Sequence, residues 1–482
     1  MASAASAALA NAPSRSLRPK LRPLNVRIAG DVPIPEAIAQ AKLGGKTSVA
    51  VVDLASGKLL ESHGGKEVLP PASVAKVITA LYALDVLGSD YRFQTRLIAS
   101  GPVESGIVQG DLILAGGGDP SLNTDNLNAM AKALAKRGIK GITGRFLVYG
   151  GALPQIETID GGQPPHVGYS PAVSGICLNF NRVFFEWRNG TDGLTTTMDA
   201  RSERNRPPVK GVAVKLSARA APIYEYRQRQ GREEWSVSRP ALGGNGGRWL
   251  PVRKPSDYAG EVFRWLAARH GVRLPEARTT GSKPRGTVVA SHQSAPLVDM
   301  ARRMLRFSTN LTAECMGLTA TAKRGKLAAN LRASGREMER WAQTKLGLKR
   351  AKFVDHSGLG EASRMGAGDL ALALAQVRST ARLKPLLKLI ELRDAKGRPY
   401  QTQPIAVNAK TGTLNFVSGL AGYMKTPTGQ EFAFAVFSAN LSARKKLSRA
   451  QRERPEGARS WNRRARQLQQ VMIERWGRIY AG

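Results

Sequence analysis

Ser73 and Lys76 stand one helical turn apart at the start of an apolar run, Pro71-Ala72-Ser73-Val74-Ala75-Lys76-Val77-Ile78-Thr79-Ala80. Positions i and i+3 share a helix face, so the Lys76 amine reaches the Ser73 hydroxyl. The helix extends to about Leu87, turns Ile78, Leu81, Leu84 and Leu87 inward, and stops at Gly88. Such a pair makes a nucleophile without histidine. Serine needs an adjacent base, and a lysine desolvated against Val74, Val77 and Ile78 has its pKa lowered toward that role. The spacing alone is weak, because in a chain with 73 Lys and Arg residues it recurs by chance on solvated helix faces.

Two distant segments change its meaning. Ser308-Thr309-Asn310 lies in the turn that ends a helix over residues 297–307, and Lys410-Thr411-Gly412, followed by Thr413-Leu414, begins an extended run. Serine enzymes that act on D-alanyl peptides and on β-lactams combine S-x-x-K, S-x-N and K-T-G in this chain order. More than two hundred residues separate Lys76 from Ser308, where a compact domain of that kind needs a short helical segment, so an additional folded insert is implied. With these features the chain resembles the penicillin-binding D-alanyl-D-alanine carboxypeptidase/endopeptidases of the S13 peptidase family, the class C penicillin-binding proteins. The likeness extends to Val52-Asp53-Leu54-Ala55-Ser56-Gly57-Lys58, to Leu114-Ala115-Gly116-Gly117-Gly118-Asp119-Pro120-Ser121-Leu122 and to Asp355-His356-Ser357-Gly358-Leu359. It covers roughly residues 30–480.

The resemblance implies an α+β, multidomain chain. Its core is a β-lactamase/transpeptidase-like domain, an antiparallel sheet flanked by helices, in two parts, residues 25–98 and 287–482. Between them stands an inserted accessory region, residues 99–286, of two small units. It also implies the site. Ser73 attacks a D-alanyl carbonyl, Lys76 takes its proton, Ser308 passes a proton to the leaving amine, and Asn310 holds Lys76 and the substrate backbone. Lys410 supplies a fixed positive charge and Thr411 a hydroxyl for the terminal carboxylate. Gly412 lets substrate approach the strand, and the Thr413 and Ser73 amides form an oxyanion hole. Leu359 belongs to a Gly-rich loop lining the cleft, with Gly360-Glu361 as additional residues. In relatives an acidic residue ahead of a segment like Tyr169-Ser170-Pro171-Ala172 meets a diaminopimelate amine; here Pro164 and Pro165 stand near that position, with Asp160 the nearest carboxylate.

The implied activity is hydrolysis of peptidoglycan stem peptides or D-alanyl cross-links through an acyl-enzyme, in the periplasm or secreted to the cell envelope, with β-lactams acylating the same serine. Two readings compete with it. A β-lactamase needs a positioned deacylation base, and no recognisable one stands in the sequence. A non-catalytic cationic envelope-binding protein has no use for intact motifs.

Composition bounds the rest. A chain of 482 residues, 42% hydrophobic, can bury a large core, and at ~150 residues per domain its length fits about three domains. No apolar stretch reaches the ~18 residues of a spanning helix. The formal charge of +37 attracts polyanions. Nucleic acid is excluded as partner, because the basic residues are scattered, aromatics make up 6%, and no finger or RNP pattern occurs. Anionic envelope polymers or a membrane surface remain, beside a charge that serves only solubility. Oligomeric state is not legible.

Cys177 and Cys315 lack metal spacing and read as two buried thiols rather than a disulfide, with pairing left open. The five histidines form neither H-E-x-x-H nor a cluster, so no metal and no cofactor is expected. Gly44-Gly45-Lys46-Thr47 lacks the earlier glycine of a phosphate loop, since position 40 is Gln40. Residues 1–12, small and apolar with Ala8-Leu9-Ala10, read as the tail of a secretory signal or an Ala-rich arm. A closing amphipathic helix with Leu468, Val471, Met472 and Trp476 is expected to pack on the sheet rather than bind membrane.

Overall fold

The computed structural model describes residues 32–480 apart from Lys66, Asp192, Gln230, Ala395 and Arg454; residues 1–12 lie outside the described residues. Its catalytic half is built on a six-stranded sheet in the order Lys388–Leu389, Ala406–Leu414, Val417–Lys425, Glu431–Ala439, Lys46–Asp53, Leu59–His63, antiparallel throughout. Distant parts of the chain therefore close one sheet, with Val49 opposite Val436. The two central strands are buried except at Lys425 and Glu431, because both faces are covered. Alternation sends Ala50, Val52, Ala435 and Phe437 to one core and Val49, Val51, Phe434 and Val436 to the other. The second core is closed by Trp461, Leu468, Met472 and Trp476 of the helix Ala458–Ile479, which packs on the sheet. No helix among the described residues is long and apolar enough to cross a membrane.

The helix Ala75–Leu87 occupies the first core and is buried at every position from Ala75 to Ala83. One inward stripe was the expectation from sequence. From Ala75 to Ala83 the helix is enclosed instead, within the core shared by the sheet and the helices Leu297–Phe307, Asn310–Lys323 and Leu331–Leu346, whereas its last turn reaches the surface with Asp85 exposed.

The chain enters and leaves the accessory region through Gln94–Ala99 and Thr287–Gln293, which pair antiparallel and lie at the junctions expected at 98/99 and 286/287. Only Gln94–Ala99 spans its expected junction, since Thr287–Gln293 begins at the other. Both belong to a five-stranded sheet in which Leu112–Gly116 and Phe146–Tyr149 run parallel, connected through the helix Thr124–Lys136. Two three-stranded sheets follow, one centred on Arg182–Gly190 and one on Arg232–Ser238. A continuous core that includes Phe146, Phe185, Trp235 and Phe263 joins this α/β unit to the β-rich one. Cys177 and Cys315 are free, buried thiols with Sγ atoms 3.7 Å apart, in a small cluster where the accessory region meets the helix Asn310–Lys323.

Candidate active site

Ser73 sits in a single 3₁₀ turn, Ala72–Val74, that feeds directly into the buried helix. Two glycines allow that turn to be gripped. A Cβ on Gly412 would lie 2.6 Å from the Pro71 carbonyl oxygen, and one on Gly358, at φ +73°, would overlap the Ala72 carbonyl. The expectation that Gly412 makes room for substrate therefore gains a second reason: it makes room for the nucleophile's own turn. Ser73 lines a cleft of about 260 Å³ together with Ser308, Asn310, Leu359 and Thr413.

Lys76 lies beneath Ser73 and is completely buried. Its Nζ is 2.9 Å from Ser73 Oγ, 2.7 Å from Asn310 Oδ1 and 2.7 Å from the Ser357 carbonyl oxygen. The Asn310 amide is oriented because its Nδ2 donates to the Tyr169 carbonyl at 2.9 Å. Asn310 Oδ1 and Ser357 O can only accept. A neutral amine with two hydrogens spends both on them and is left with its lone pair toward Ser73. Desolvation, reinforced by the charge of Lys410, lowers the Lys76 pKa to about 7.

Across the cleft, Lys410 is also buried, with its pKa lowered to about 8 by desolvation and by Lys388. It donates to Ser308 Oγ at 3.0 Å and to the Thr411 carbonyl at 2.7 Å. Ser308 is thus bonded to Lys410, and its left-handed φ of +60° ends one helix so that the next can start at Asn310. Of the residues expected from sequence, Ser73, Ser308, Asn310, Leu359 and Thr413 line the cleft, and Lys76 and Lys410 lie under its floor. Thr411 and Gly412 are on the same strand but do not line it.

Sequence reasoning missed Glu314. Fully buried, it accepts the backbone N–H groups of His356 at 3.0 Å and Ser357 at 2.9 Å, and so fixes the chain just ahead of the Ser357 carbonyl that receives Lys76. Burial, with the Asp355 charge beside it, pushes its pKa up to about 8. The available signal was a lone carboxylate four residues beyond Asn310 in an apolar helix. Asp355 stood in the quoted loop without a role; its carboxylate accepts the N–H groups of Gly358 at 2.7 Å and Gly360 at 2.6 Å, and burial raises its pKa to about 6. The residues Arg444, Arg452 and Glu453, also cleft-lining, were legible only as part of a basic stretch. The additional Glu361 pairs with Arg444 at 3.5 Å and Arg452 at 3.6 Å on the rim. Asp160 accepts from Gln163 Nε2 at 2.7 Å, and Gln163 lines the cleft.

Comparison with known proteins gives the same grouping as the motifs. Residues 32–456 match the D-Ala-D-Ala carboxypeptidase 3 (S13) family. The chain is 29% identical over 424 residues to a D-alanyl-D-alanine carboxypeptidase of Actinomadura sp. (strain R39), covering 82% of this chain and 77% of that one. It is 22% identical over 423 residues to the D-alanyl-D-alanine carboxypeptidase DacB of Haemophilus influenzae, covering 82% and 85%. The crystal structure of penicillin binding protein 4 from H. influenzae shares the fold, with a TM-score of 0.73 over 92% of this chain and 99% of that chain at 18% identity. With a family match over most of its length and the three motifs gathered at one cleft, the chain belongs to the S13 family of D-Ala-D-Ala carboxypeptidases.

Proposed function

We propose that the protein is a serine D,D-peptidase that cleaves D-alanyl bonds of peptidoglycan peptides through an ester on Ser73. Lys76 takes the Ser73 proton as Oγ attacks the carbonyl carbon, and the oxyanion forms against the Ser73 and Thr413 amides. Breakdown expels the amine, which receives a proton by way of Ser308. Water activated by Lys76 then opens the ester, releasing the carboxylate and restoring the serine. A β-lactam amide follows the first half of this route. Lys410 and Thr411 are assigned to the substrate's terminal carboxylate, and Leu359 to the cleft wall against its side chain.

The observation that carries this reading is the commitment of both Lys76 hydrogens to fixed carbonyls, with Ser73 Oγ left at 2.9 Å as the proton donor. The carboxylates near the cleft are otherwise engaged: Glu314 and Asp355 by backbone amides, and Glu453 by His166 and Arg248. None of these carboxylates is therefore free as a base for rapid deacylation of a β-lactam, which favours a peptidase over a β-lactamase. Activity is placed in the cell envelope, periplasmic or secreted, where a charge of +37 draws the chain to anionic polymers or membrane surface. Fluorescent penicillin is expected to label the protein and to fail with Ser73→Ala; labelling that survives the substitution overturns the assignment.

A further inference from the structure

A second hollow, of about 530 Å³, lies where the accessory region meets the helices Leu297–Phe307 and Asn310–Lys323. Thr309 lines it, whereas its neighbours Ser308 and Asn310 line the catalytic cleft, so one short segment is the wall between the two spaces. Arg182 stands in its lining with a buried Nε that has no hydrogen-bond partner, and no carboxylate among the described residues pairs with it. Its guanidinium lies 5.2 Å from the ring centres of both Phe180 and Trp249.

Other arginines nearby are not left in this state. Arg201 in the same lining is engaged by Asp199 at 2.6 Å and Glu186 at 3.3 Å. Buried Arg253 donates to the carbonyls of Glu157, Ser170 and Pro165. Arg182 is half-buried, and a cation in a hollow that no carboxylate of the described residues balances leaves its charge available to a partner from outside the chain. The segment presenting Arg182 is itself strained. Asn179, Phe180 and Asn181 have φ of +51°, +58° and +52°, and a bulky residue is an outlier there. The Asn181 side chain holds the turn by accepting the Leu178 N–H at 3.1 Å.

We propose that this hollow is a second binding site, for a carboxylate-bearing limb of the substrate. Arg182 takes the carboxylate on its terminal Nη groups, its Nε being buried, and Trp249 and Phe307 take the apolar or sugar face beside it. Phe307 is 66% exposed in the same lining. Arg303 adds an unpaired positive charge and Glu203 is the acidic residue of the lining, so an anion is favoured. The inference rests on the peptidase reading and adds to it a second grip on a polymer, one residue away from the catalytic S-x-N segment.

Two probes distinguish the source of the carboxylate: N-acetylmuramic acid carries it on a sugar, and N-acetyl-L-alanyl-D-glutamate on a peptide. Calorimetric titration of the whole chain is expected to show binding of one of them, weakened at least about tenfold in Arg182→Met. The same variant is expected to melt at an equal or higher temperature, because an apolar side chain of similar length replaces a half-buried cation whose Nε–H has no acceptor. Binding of neither probe, affinity unchanged by Arg182→Met, or a variant that melts clearly lower overturns the proposal, the last by making Arg182 structural. Penicillin labelling of the unaltered protein is read in parallel. Its absence sinks the peptidase reading, whereas labelling without probe binding sinks only the second site.

Discussion

The cleft has a buried lysine on each side, and the two are not equivalent. Lys76 rises from the helix under Ser73 and meets two carbonyl oxygens and a hydroxyl, while Lys410 projects from the sheet and meets a hydroxyl and one carbonyl. Burial lowers both, to about 7 and about 8 respectively, and the charge on Lys410 helps to lower Lys76. The pair thus divides the labour. Near neutral pH the cation on the sheet side favours the free amine on the helix side, so one residue type supplies both the base and the fixed charge.

Substitution by arginine separates these roles most sharply. Arginine keeps a charge and cannot serve as a base. Lys76→Arg is therefore expected to lower Ser73 acylation by ~10²–10⁴, and Lys410→Arg to leave clearly more activity. Stopped-flow acylation by a fluorescent penicillin measures both, and equal losses break the distinction. The pH profile follows with a worked sign. Acylation is expected to rise as Lys76 loses its proton through about 7 and to decline as Lys410 loses its charge through about 8. In Lys410→Gln the repulsion on Lys76 is gone, so the acid limb is expected to move to higher pH. A limb that stays in place means that the two lysines are not coupled.

Glu314 offers an intermediate effect. Its two oxygens hold the His356 and Ser357 N–H groups, and once ionised, above about 8, its charge raises the Lys76 pKa. Glu314→Gln puts an amide NH₂ against one of two backbone donors, which costs ~1–3 kcal/mol. The expected result is about a tenfold or greater fall in kcat with a smaller change in KM, and an acid limb that stays near 7, because Glu314, pushed up to about 8, is mostly protonated where Lys76 titrates. A fall in melting temperature with kcat unchanged reduces Glu314 to a structural support.

These residues differ in how far the sequence exposes them. Ser73, Lys76, Ser308, Asn310 and Lys410 were legible because each motif is short and the chain order is specific. The helix before Ser308 and the strand that carries Lys410 were legible because local periodicity survives in the fold. Enclosure of the Ser73 helix from Ala75 to Ala83 was not, since it depends on neighbours more than two hundred residues away. Nor was the strand end at Leu414, where Phe416 at φ +58° turns the chain into a hairpin. Glu314, Tyr169 and the Arg444–Glu361 contact act through backbone groups or across the cleft, and no spacing in the sequence encodes such partners.

The smallest effect tests the same division of labour from outside the cleft. Lys388 is exposed on the edge strand, opposite Ala409, and its charge contributes to the lowered pKa of Lys410. Lys388→Gln removes that repulsion, so Lys410 is expected to hold its proton to higher pH and the alkaline limb to move upward. The interaction runs from a solvated side chain and is screened, so the rate at the alkaline shoulder is expected to rise only about twofold. Added salt in the unaltered protein acts in the same direction, because screening Lys388 weakens the same repulsion. The difference between the two proteins is therefore expected to shrink as ionic strength rises toward ~1 M, where charges act over ~3 Å. An alkaline limb that ignores both the substitution and the salt assigns that limb to a group other than Lys410, and the fixed charge on the sheet side of the cleft then has to be sought elsewhere.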